Sequence, residues 1–364
     1  MPFGLPIRGV GSIVGTPEDP TDLVRRSGAL RSRSAWHGLI AALSIVFLAW
    51  FTMKFYMDNS NDSETDAYVN TLSVSASGLT VAADATGHYA ALAPYVLLPF
   101  SAALEPVTGA YKIRGFVLAR LVLGAALFGF AYLWYRRLGL SWLTSLLGLV
   151  LLSTSLAFAQ LERGWELDKF IEPILFLVAG LAAWNRARVL LLAAAALAAV
   201  NRETGIFVPL VAVAGLAEHG GGLRSASKSW LVWACAIICV PEVVLLRRVV
   251  APQTVLAWAT DVNMERLVYV TGGLCLAPLL AVVWAHSAPL GLRRLFYLVA
   301  PLWVAFVLVT DRLEQGAVLL APLALLFIPV TLAGVEQLSP EPRAFSAAPP
   351  TSDGALGPGA PAGR

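Results

Sequence analysis

Charged residues are scarce in this sequence. Asp, Glu, Lys and Arg make up 13% of the 364 residues, whereas soluble domains carry about 25%. The mean hydropathy is +0.72, and apolar runs of about 20 residues, the length that crosses a ~30 Å hydrocarbon core, recur along the chain. The scarcity of charge argues against a water-soluble domain and predicts one multi-helix membrane domain.

Cysteine and histidine are also rare, with three and four residues respectively. Cys235, Cys239 and Cys275 lie inside apolar segments with no His, Asp or Glu at metal-ligand spacing beside them. We interpret them as small buried hydrophobic residues and predict no metal site. No Walker A sequence, dinucleotide fingerprint, nucleophilic-serine elbow or DNA- or RNA-binding motif is present. Nucleotide chemistry and nucleic-acid partners are therefore not expected.

Lys and Arg are absent between Phe55 and Tyr111. Because Lys and Arg beside membrane helices are retained in the cytoplasm, this stretch predicts an outer loop over residues 57–114. Residues 1–36 carry arginines directly before the first apolar run, which predicts a cytoplasmic N-terminal segment and a first helix that runs outward. Residues 37–335 then form a membrane domain of about ten transmembrane helices, and the Pro- and Ala-rich residues 336–364 form a disordered tail. Both termini are expected in the cytoplasm.

Three segments of the membrane domain depart from ordinary spans. Residues 89–104 are apolar but short and contain two prolines, which indicates an interfacial or re-entrant helix in the first outer loop. Two runs of about 13 residues, 189–200 and 205–217, are joined by a polar corner over residues 201–204. Helices that short cross the membrane only partway, so this corner is expected below the outer surface.

Charged residues gather on the predicted outer side, and several of them could carry chemistry. Asp62 and Asp66 would share a face if their loop is helical, and a carboxylate there could act as a general base; the alternative is a solvated acidic loop. Arg202 and Glu203 at the polar corner need a partner or an aqueous cavity, unless they form a self-satisfied structural ion pair. Arg202 or Arg312 could hold a lipid phosphate, because guanidinium binds phosphate in a bidentate way.

Six short segments between about residues 35 and 335 carry a resemblance to a known family: DSETDAY at 62–68, YAALAPY at 89–95, YRRLG at 135–139, GWELD at 164–168, NRET at 201–204 and DRLE at 311–314. With these segments the chain resembles the polyprenyl-phosphate-dependent membrane glycosyltransferases of the GT-C fold, in particular the bacterial mannosyl- and arabinosyltransferase-like branch. We expect two departures from that family, which are the lack of an aspartate pair directly after the first helix and of a large extracytoplasmic C-terminal domain.

The resemblance implies an integral membrane helical bundle in the bacterial cytoplasmic membrane that transfers a hexosyl or pentosyl group. The donor would be a polyprenyl-phosphate-sugar lipid, and the acceptor a cell-envelope glycan, lipid or protein. Asp66 or Asp62 would be the catalytic base of an inverting displacement. The implied substrate and phosphate contacts are Arg202, Glu203, Arg312, Glu314, Asp168 and His88. No cofactor is expected, and a divalent cation is left open.

Two other functions are compatible with the sequence. A secondary transporter or lipid flippase would use a similar number of helices without a catalytic base, and would show pseudo-symmetric halves and broken helices that meet at mid-depth. A non-catalytic membrane assembly subunit would tolerate replacement of Asp62, Asp66 and Arg202.

Overall fold

The computed structural model describes residues 20–59, 92, 95–96, 99–100, 111–159, 167–250, 276–309 and 317–338. These residues contain helices and short connections, and no strand occurs among them. The all-α class predicted from the sequence is therefore confirmed for this part of the chain.

The described residues form twelve α-helices, with four short 3₁₀ or π segments between them. The α-helices are α1 Pro20–Asn59, α2 Tyr111–Arg137, α3 Trp142–Ala159, α4 Asp168–Trp184, α5 Arg188–Asn201, α6 Val208–Leu216, α7 Gly222–Ser227, α8 Trp230–Val250, α9 Leu276–Trp284, α10 Leu290–Val309, α11 Ala317–Pro322 and α12 Ile328–Leu338. The 3₁₀ segments are Glu203–Phe207 and Ala285–Ser287, and the π segments are Ala217–Gly221 and Leu323–Phe327.

Hydrogen bonds between helix ends show that many helix termini meet at one end of the bundle. Arg137 at the end of α2 donates from Nε to Oδ1 of Asn185, just after α4, at 2.8 Å. Arg294 in the first turns of α10 donates from Nη1 to the carbonyl of Ala217, just after α6, at 2.8 Å. The backbone of Ser141 before α3 donates to Glu336 of α12 at 2.6 Å. Helices that follow one another therefore run in alternating directions, as the basic clusters predicted.

This end of the bundle is strongly basic, and is hereafter the basic end. It is defined by the residues Arg136, Arg137, Arg186, Arg188, Arg224, Lys228, Arg293 and Arg294. The first helix shares the orientation, because the ring of His37 in α1 stacks on Trp142 at the start of α3, with 4.5 Å between ring centroids. The N-terminal part of the apolar run in α1 thus lies at the basic end.

The perimeter of the bundle is apolar. In α8, Leu231, Cys235 and Cys239 are buried at four-residue spacing, whereas Trp233 and Ile237 on the opposite face are 60% and 69% exposed. Monomeric soluble proteins rarely expose such continuous apolar surface. Three helical stretches are long and apolar enough to cross a membrane: Ala35–Phe55, Gly115–Arg137 and Leu320–Gln337. The fold is thus compatible with a multi-pass membrane protein, and the full number of ten spans stays a prediction.

One face of the predicted interfacial segment packs on the bundle. Leu92, Val96 and Phe100, which are spaced by four residues, are partly buried against the hydrophobic core, while Tyr95 is 43% exposed. The amide of Val96 donates to the carbonyl of Leu92 at 3.1 Å, as in an α-helical turn. The described residues of this segment are therefore amphipathic and partly helical, and its depth in a membrane stays a prediction.

Two helices begin earlier than the hydropathy indicated. The first helix was expected from about residue 38 and begins at Pro20, so it continues through the arginines before the apolar run. Helix α10 was expected from residue 295 and begins at Leu290, so Arg293 and Arg294 lie inside its first turns. Arginine is a good helix former, and its long side chain can reach the headgroups from within a helix, so charge does not mark the end of helical structure.

Candidate functional site

The polar corner predicted at residues 201–204 is the tip of a helical hairpin. Helix α5 ends at Asn201, Arg202 is extended with φ −157° and ψ 158°, and a 3₁₀ turn then leads into α6. The amide of Gly205 donates to the carbonyl of Arg202 at 2.9 Å. A Cβ at Gly205 would lie 2.5 Å from the backbone nitrogen of Ala199. The turn is therefore so tight that the chain requires glycine at this position.

The hairpin is short and lies inside the protein. Helix α5 has 14 residues, which span about 21 Å and so fall short of a ~30 Å hydrocarbon core. Its first residue, Arg188, belongs to the basic end, so the tip points toward the opposite end. The tip residues Asn201, Arg202 and Thr204 are only 1%, 3% and 2% exposed. Protein, not solvent, surrounds the corner.

A carboxylate from another helix joins the tip residues. Glu172 lies in the second turn of α4 and is 2% exposed. Its Oε2 accepts a hydrogen bond from Nη1 of Arg202 at 3.1 Å, and its Oε1 accepts one from Oγ1 of Thr204 at 2.5 Å. Burying an ion costs several kcal/mol, which a close opposite charge and full hydrogen bonding offset. The three residues thus form one buried ionic group.

A second arginine is buried near the other side of α4. Arg120 of α2 is 1% exposed, and its guanidinium carbon lies 5.1 Å from the ring centroid of Phe170 and 5.5 Å from that of Phe116. These distances fit cation–π contacts. Arg120 precedes Arg137 of the basic end by seventeen positions, about 25 Å along α2. Two guanidiniums and one carboxylate are thus buried among the described side chains of this region.

An aromatic layer lies next to the ionic group on the side of the basic end. Phe176 follows Glu172 by one turn of α4, and Phe207 follows Thr204 by three residues. Both rings contact Trp303 of α10, with centroid distances of 5.1 Å for Phe176 and 4.8 Å for Phe207. Trp303 is 1% exposed. The layer keeps water away from one side of the charges, which strengthens their electrostatic interactions.

Asn201 differs from its neighbours in the corner. Its side-chain Nδ2 and Oδ1 are both buried, and neither has a hydrogen-bond partner among the residues that the structure describes. Most buried side-chain polar atoms in proteins have a partner. The corner therefore combines a buried ionic group with an amide that has unused capacity for hydrogen bonds.

Most residues implied by the family resemblance fall where the structure gives no side chain. Asp62, Asp66, His88, Arg312 and Glu314 lie outside the described residues. The backbones of Asp168 and Glu203 begin α4 and the 3₁₀ turn, but their side chains are likewise outside. Arg202 is described, and its partner is Glu172. The roles proposed for all of these residues stay predictions.

Sequence reasoning assigned no role to four residues that the structure places in or near the corner: Arg120, Glu172, Asn201 and Thr204. Asn201 and Thr204 lay inside the predicted polar corner, but they were not candidate site residues. A usable signal existed, because a charged residue inside an otherwise apolar helix needs a partner of opposite charge. Arg202 therefore required a carboxylate, and Glu172 in α4 was available to supply it.

Among the described residues, no group of three or more His, Cys, Asp or Glu side chains is close enough to hold a metal ion. Comparison with protein-family models, curated proteins and solved structures finds no match for this chain. The family resemblance therefore depends only on the sequence segments that suggested it.

Proposed function

We propose that this protein is a multi-pass membrane glycosyltransferase that moves a sugar from a polyprenyl-phosphate donor to an acceptor hydroxyl at the outer face of the bacterial cytoplasmic membrane. The observation that carries the proposal is the buried ionic corner formed by Glu172, Arg202 and Thr204. It lies at the end of the bundle opposite the basic end.

The orientation follows from the basic end. Lys and Arg at the ends of membrane helices are retained in the cytoplasm, so the basic end would face the cytoplasm and both termini would lie on that side. The corner, about 20 Å along α5 from the basic end, would then lie within the outer leaflet. That is the depth at which the phosphate of a lipid-linked donor would enter the protein from the outer surface.

The guanidinium of Arg202 supports an anionic ligand. Arg202 donates to Glu172 through Nη1, and a guanidinium has five N–H donors, which allow it to hold a carboxylate and a phosphate oxygen at the same time. Glu172 would fix the direction of the Arg202 side chain before the ligand arrives. A fixed donor stabilises a leaving phosphate without reorganisation in the transition state.

The proposed reaction is a single displacement. Asp66 or Asp62 takes the proton from the acceptor hydroxyl, and the acceptor oxygen attacks the anomeric carbon of the sugar. The bond between that carbon and the phosphate oxygen breaks, and polyprenyl phosphate leaves with the electron pair. Arg202 or Arg312 stabilises the charge on the phosphate, and the amphipathic segment around Val96 guides the lipid tail. The sugar configuration inverts.

A secondary transporter or lipid flippase is the second candidate, and one observation favours it. The hairpin of α5 and α6 is broken at Arg202 inside the protein, a π segment follows α6 at Ala217–Gly221, and another separates α11 from α12 at Leu323–Phe327. Transporters bind ions and anionic substrates at such broken helices. In that case the ionic corner would move between conformations and would need no catalytic base.

The test is sugar transfer in isolated membranes. Radiolabelled polyprenyl-phosphate mannose and polyprenyl-phosphate arabinose are supplied to membranes with wild type, Asp66→Ala, Asp62→Ala or Arg202→Ala. Arg224→Ala is the matched control, because Arg224 is an exposed arginine at the basic end. The amount of each variant in the membrane is measured by immunoblot.

The proposal expects transfer by wild type and by Arg224→Ala, with a loss of at least 100-fold in Arg202→Ala and in one aspartate variant. Absence of transfer from both donors in wild type would reject the enzyme and favour transport. Full transfer by all three site variants would assign the chemistry to another protein and favour an assembly subunit.

A further inference from the structure

The amide of Asn201 is the least satisfied polar group of the buried corner. The residue is 1% exposed, and its Nδ2 and Oδ1 have no hydrogen-bond partner in the part of the chain that the structure describes. Asn201 is the last residue of α5, one position before Arg202, and belongs to the buried face of that helix with Ala194 and Ala198. Both functional atoms of the amide are thus inside the protein at the tip of the hairpin.

The chemistry of an amide selects among ligand groups. Nδ2 has two donor hydrogens and Oδ1 accepts two hydrogen bonds. An ionised phosphate only accepts hydrogen bonds, so it would leave Oδ1 unsatisfied, and a lipid tail would satisfy neither atom. A hydroxyl group both donates and accepts. Neighbouring hydroxyls, as on a sugar ring, can satisfy both ends of one amide.

We infer that Asn201 binds the hydroxyl groups of the sugar carried by the lipid-linked donor, while Arg202 beside it binds the phosphate. The inference rests on the proposed function, and it assigns the two halves of the donor head group to two adjacent residues. Asn201 is then a specificity residue for the sugar. It takes no part in proton transfer or in the departure of the phosphate.

The amide of Asn201 should not stabilise the ligand-free protein. A buried polar group without a partner destabilises the ligand-free protein. Replacement of Asn201 by leucine, which has a similar shape and no polar atoms, therefore leaves the melting temperature unchanged or raises it. Asn201→Ala provides a second variant that cannot overfill the site. A structural amide with partners of its own would give the opposite result, because its loss would lower the melting temperature.

Ser153 offers a matched control elsewhere in the bundle. It lies in α3, is 2% exposed, and its hydroxyl has no partner among the described residues. Ser153→Ala therefore also removes a buried polar atom without a partner. Because α3 does not contribute to the corner described above, this variant keeps the binding properties of wild type.

The experiment measures the affinity of purified protein in detergent for two probes, polyprenyl phosphate and polyprenyl-phosphate mannose, together with the melting temperature without ligand. Wild type and Ser153→Ala bind the mannosyl lipid more tightly than the bare lipid. Asn201→Leu and Asn201→Ala lose about tenfold in affinity for the mannosyl lipid, keep their affinity for the bare lipid within about twofold, and do not melt below wild type.

Three results would overturn the inference alone, and two of them concern the variants: an undiminished preference for the mannosyl lipid in both Asn201 variants, or a lowered melting temperature in both. Wild type that binds neither lipid would reject the proposed function and the inference together. The third result is wild type that binds both lipids equally, which would agree with the phosphate contact of Arg202 and reject the sugar contact of Asn201. The failures of the two proposals are therefore distinguishable.

Discussion

The ion pair between Glu172 and Arg202 gives a quantitative prediction about stability. The two side chains are 2% and 4% exposed, and their atoms Oε2 and Nη1 are 3.1 Å apart. Removal of one partner leaves the other charge buried. Removal of both leaves an apolar contact between α4 and the tip of the hairpin, so the double variant should be more stable than the worse single variant.

The loss in the free energy of unfolding of each single variant depends on which charged group remains buried. Glu172→Leu leaves a buried guanidinium, which does not lose its proton in proteins, so we expect a loss of about 3–5 kcal/mol in the free energy of unfolding. Arg202→Met leaves a carboxylate that retains Thr204 as a donor and can take up a proton. We expect that variant to lose about 1–3 kcal/mol. Burial of the pair itself has little net effect on stability, so the variant with both changes should lie within about 2 kcal/mol of wild type.

The assay is reversible unfolding of the purified protein in mixed detergent and dodecyl sulfate micelles, followed by tryptophan fluorescence. The coupling energy of the double-mutant cycle should exceed about 2 kcal/mol. The control pairs Arg224→Met with Ser227→Ala, since both residues are exposed in α7 at the basic end. If the costs of Glu172→Leu and Arg202→Met simply add, the two residues do not stabilise each other and the description of the corner is wrong.

Three further predictions concern the hairpin, the core and the perimeter. Gly205→Ala should lower the melting temperature strongly, because its Cβ would meet the backbone of Ala198 and Ala199. The control is Gly38→Ala in α1, which has nothing within 4 Å of its Cβ and should leave the melting temperature unchanged or raise it. Equal effects of the two variants in a thermal-melt assay would contradict this prediction. Trp134→Phe should cost about 1–3 kcal/mol in the same unfolding assay, because the indole donates to the carbonyl of Leu325 at 3.0 Å inside the core; the exposed Trp233→Phe is its control. Ile237→Asp, at a position that is 69% exposed, should disfavour membrane insertion by about 2.5–3.5 kcal/mol; unchanged recovery in carbonate-washed membranes would show that this face of α8 does not contact lipid.

Much of the helix order could be predicted from the sequence, because apolar runs indicate membrane-length helices and arginine clusters indicate the helix ends that meet water. Arg136 and Arg137 marked the end of α2, and Arg186 and Arg188 marked the turn between α4 and α5. The shortness of the two runs around residue 202 predicted a polar corner below the outer membrane surface; the structure shows that the corner residues are buried in protein, and their depth in a membrane stays a prediction. These features are local, because each depends on the hydropathy and charge of a window of about 20 residues.

The sequence indicated that Arg202 needs a carboxylate, but which carboxylate supplies the contact could not be predicted in the same way. Glu172 lies 30 positions earlier in the chain, and no periodic pattern links residues on different helices. The lack of hydrogen-bond partners for the buried amide of Asn201 could not be predicted either, because it depends on the packing of α5 inside the bundle. The π segment Leu323–Phe327 also has no signature in its apolar sequence, which would suit an α-helix equally well.

Photocrosslinking of a polyprenyl phosphate that carries a diazirine next to the phosphate would test the central claim most directly. The labelled protein is digested, and the crosslinked peptides are identified by mass spectrometry, with and without excess unlabelled polyprenyl phosphate or polyprenol. We predict label on the hairpin tip around Arg202 or on α4 around Glu172, which polyprenyl phosphate removes and polyprenol does not. Label confined to the lipid-facing side of α1 or α8, or removed equally by both lipids, would contradict the claim that the buried corner binds a lipid phosphate.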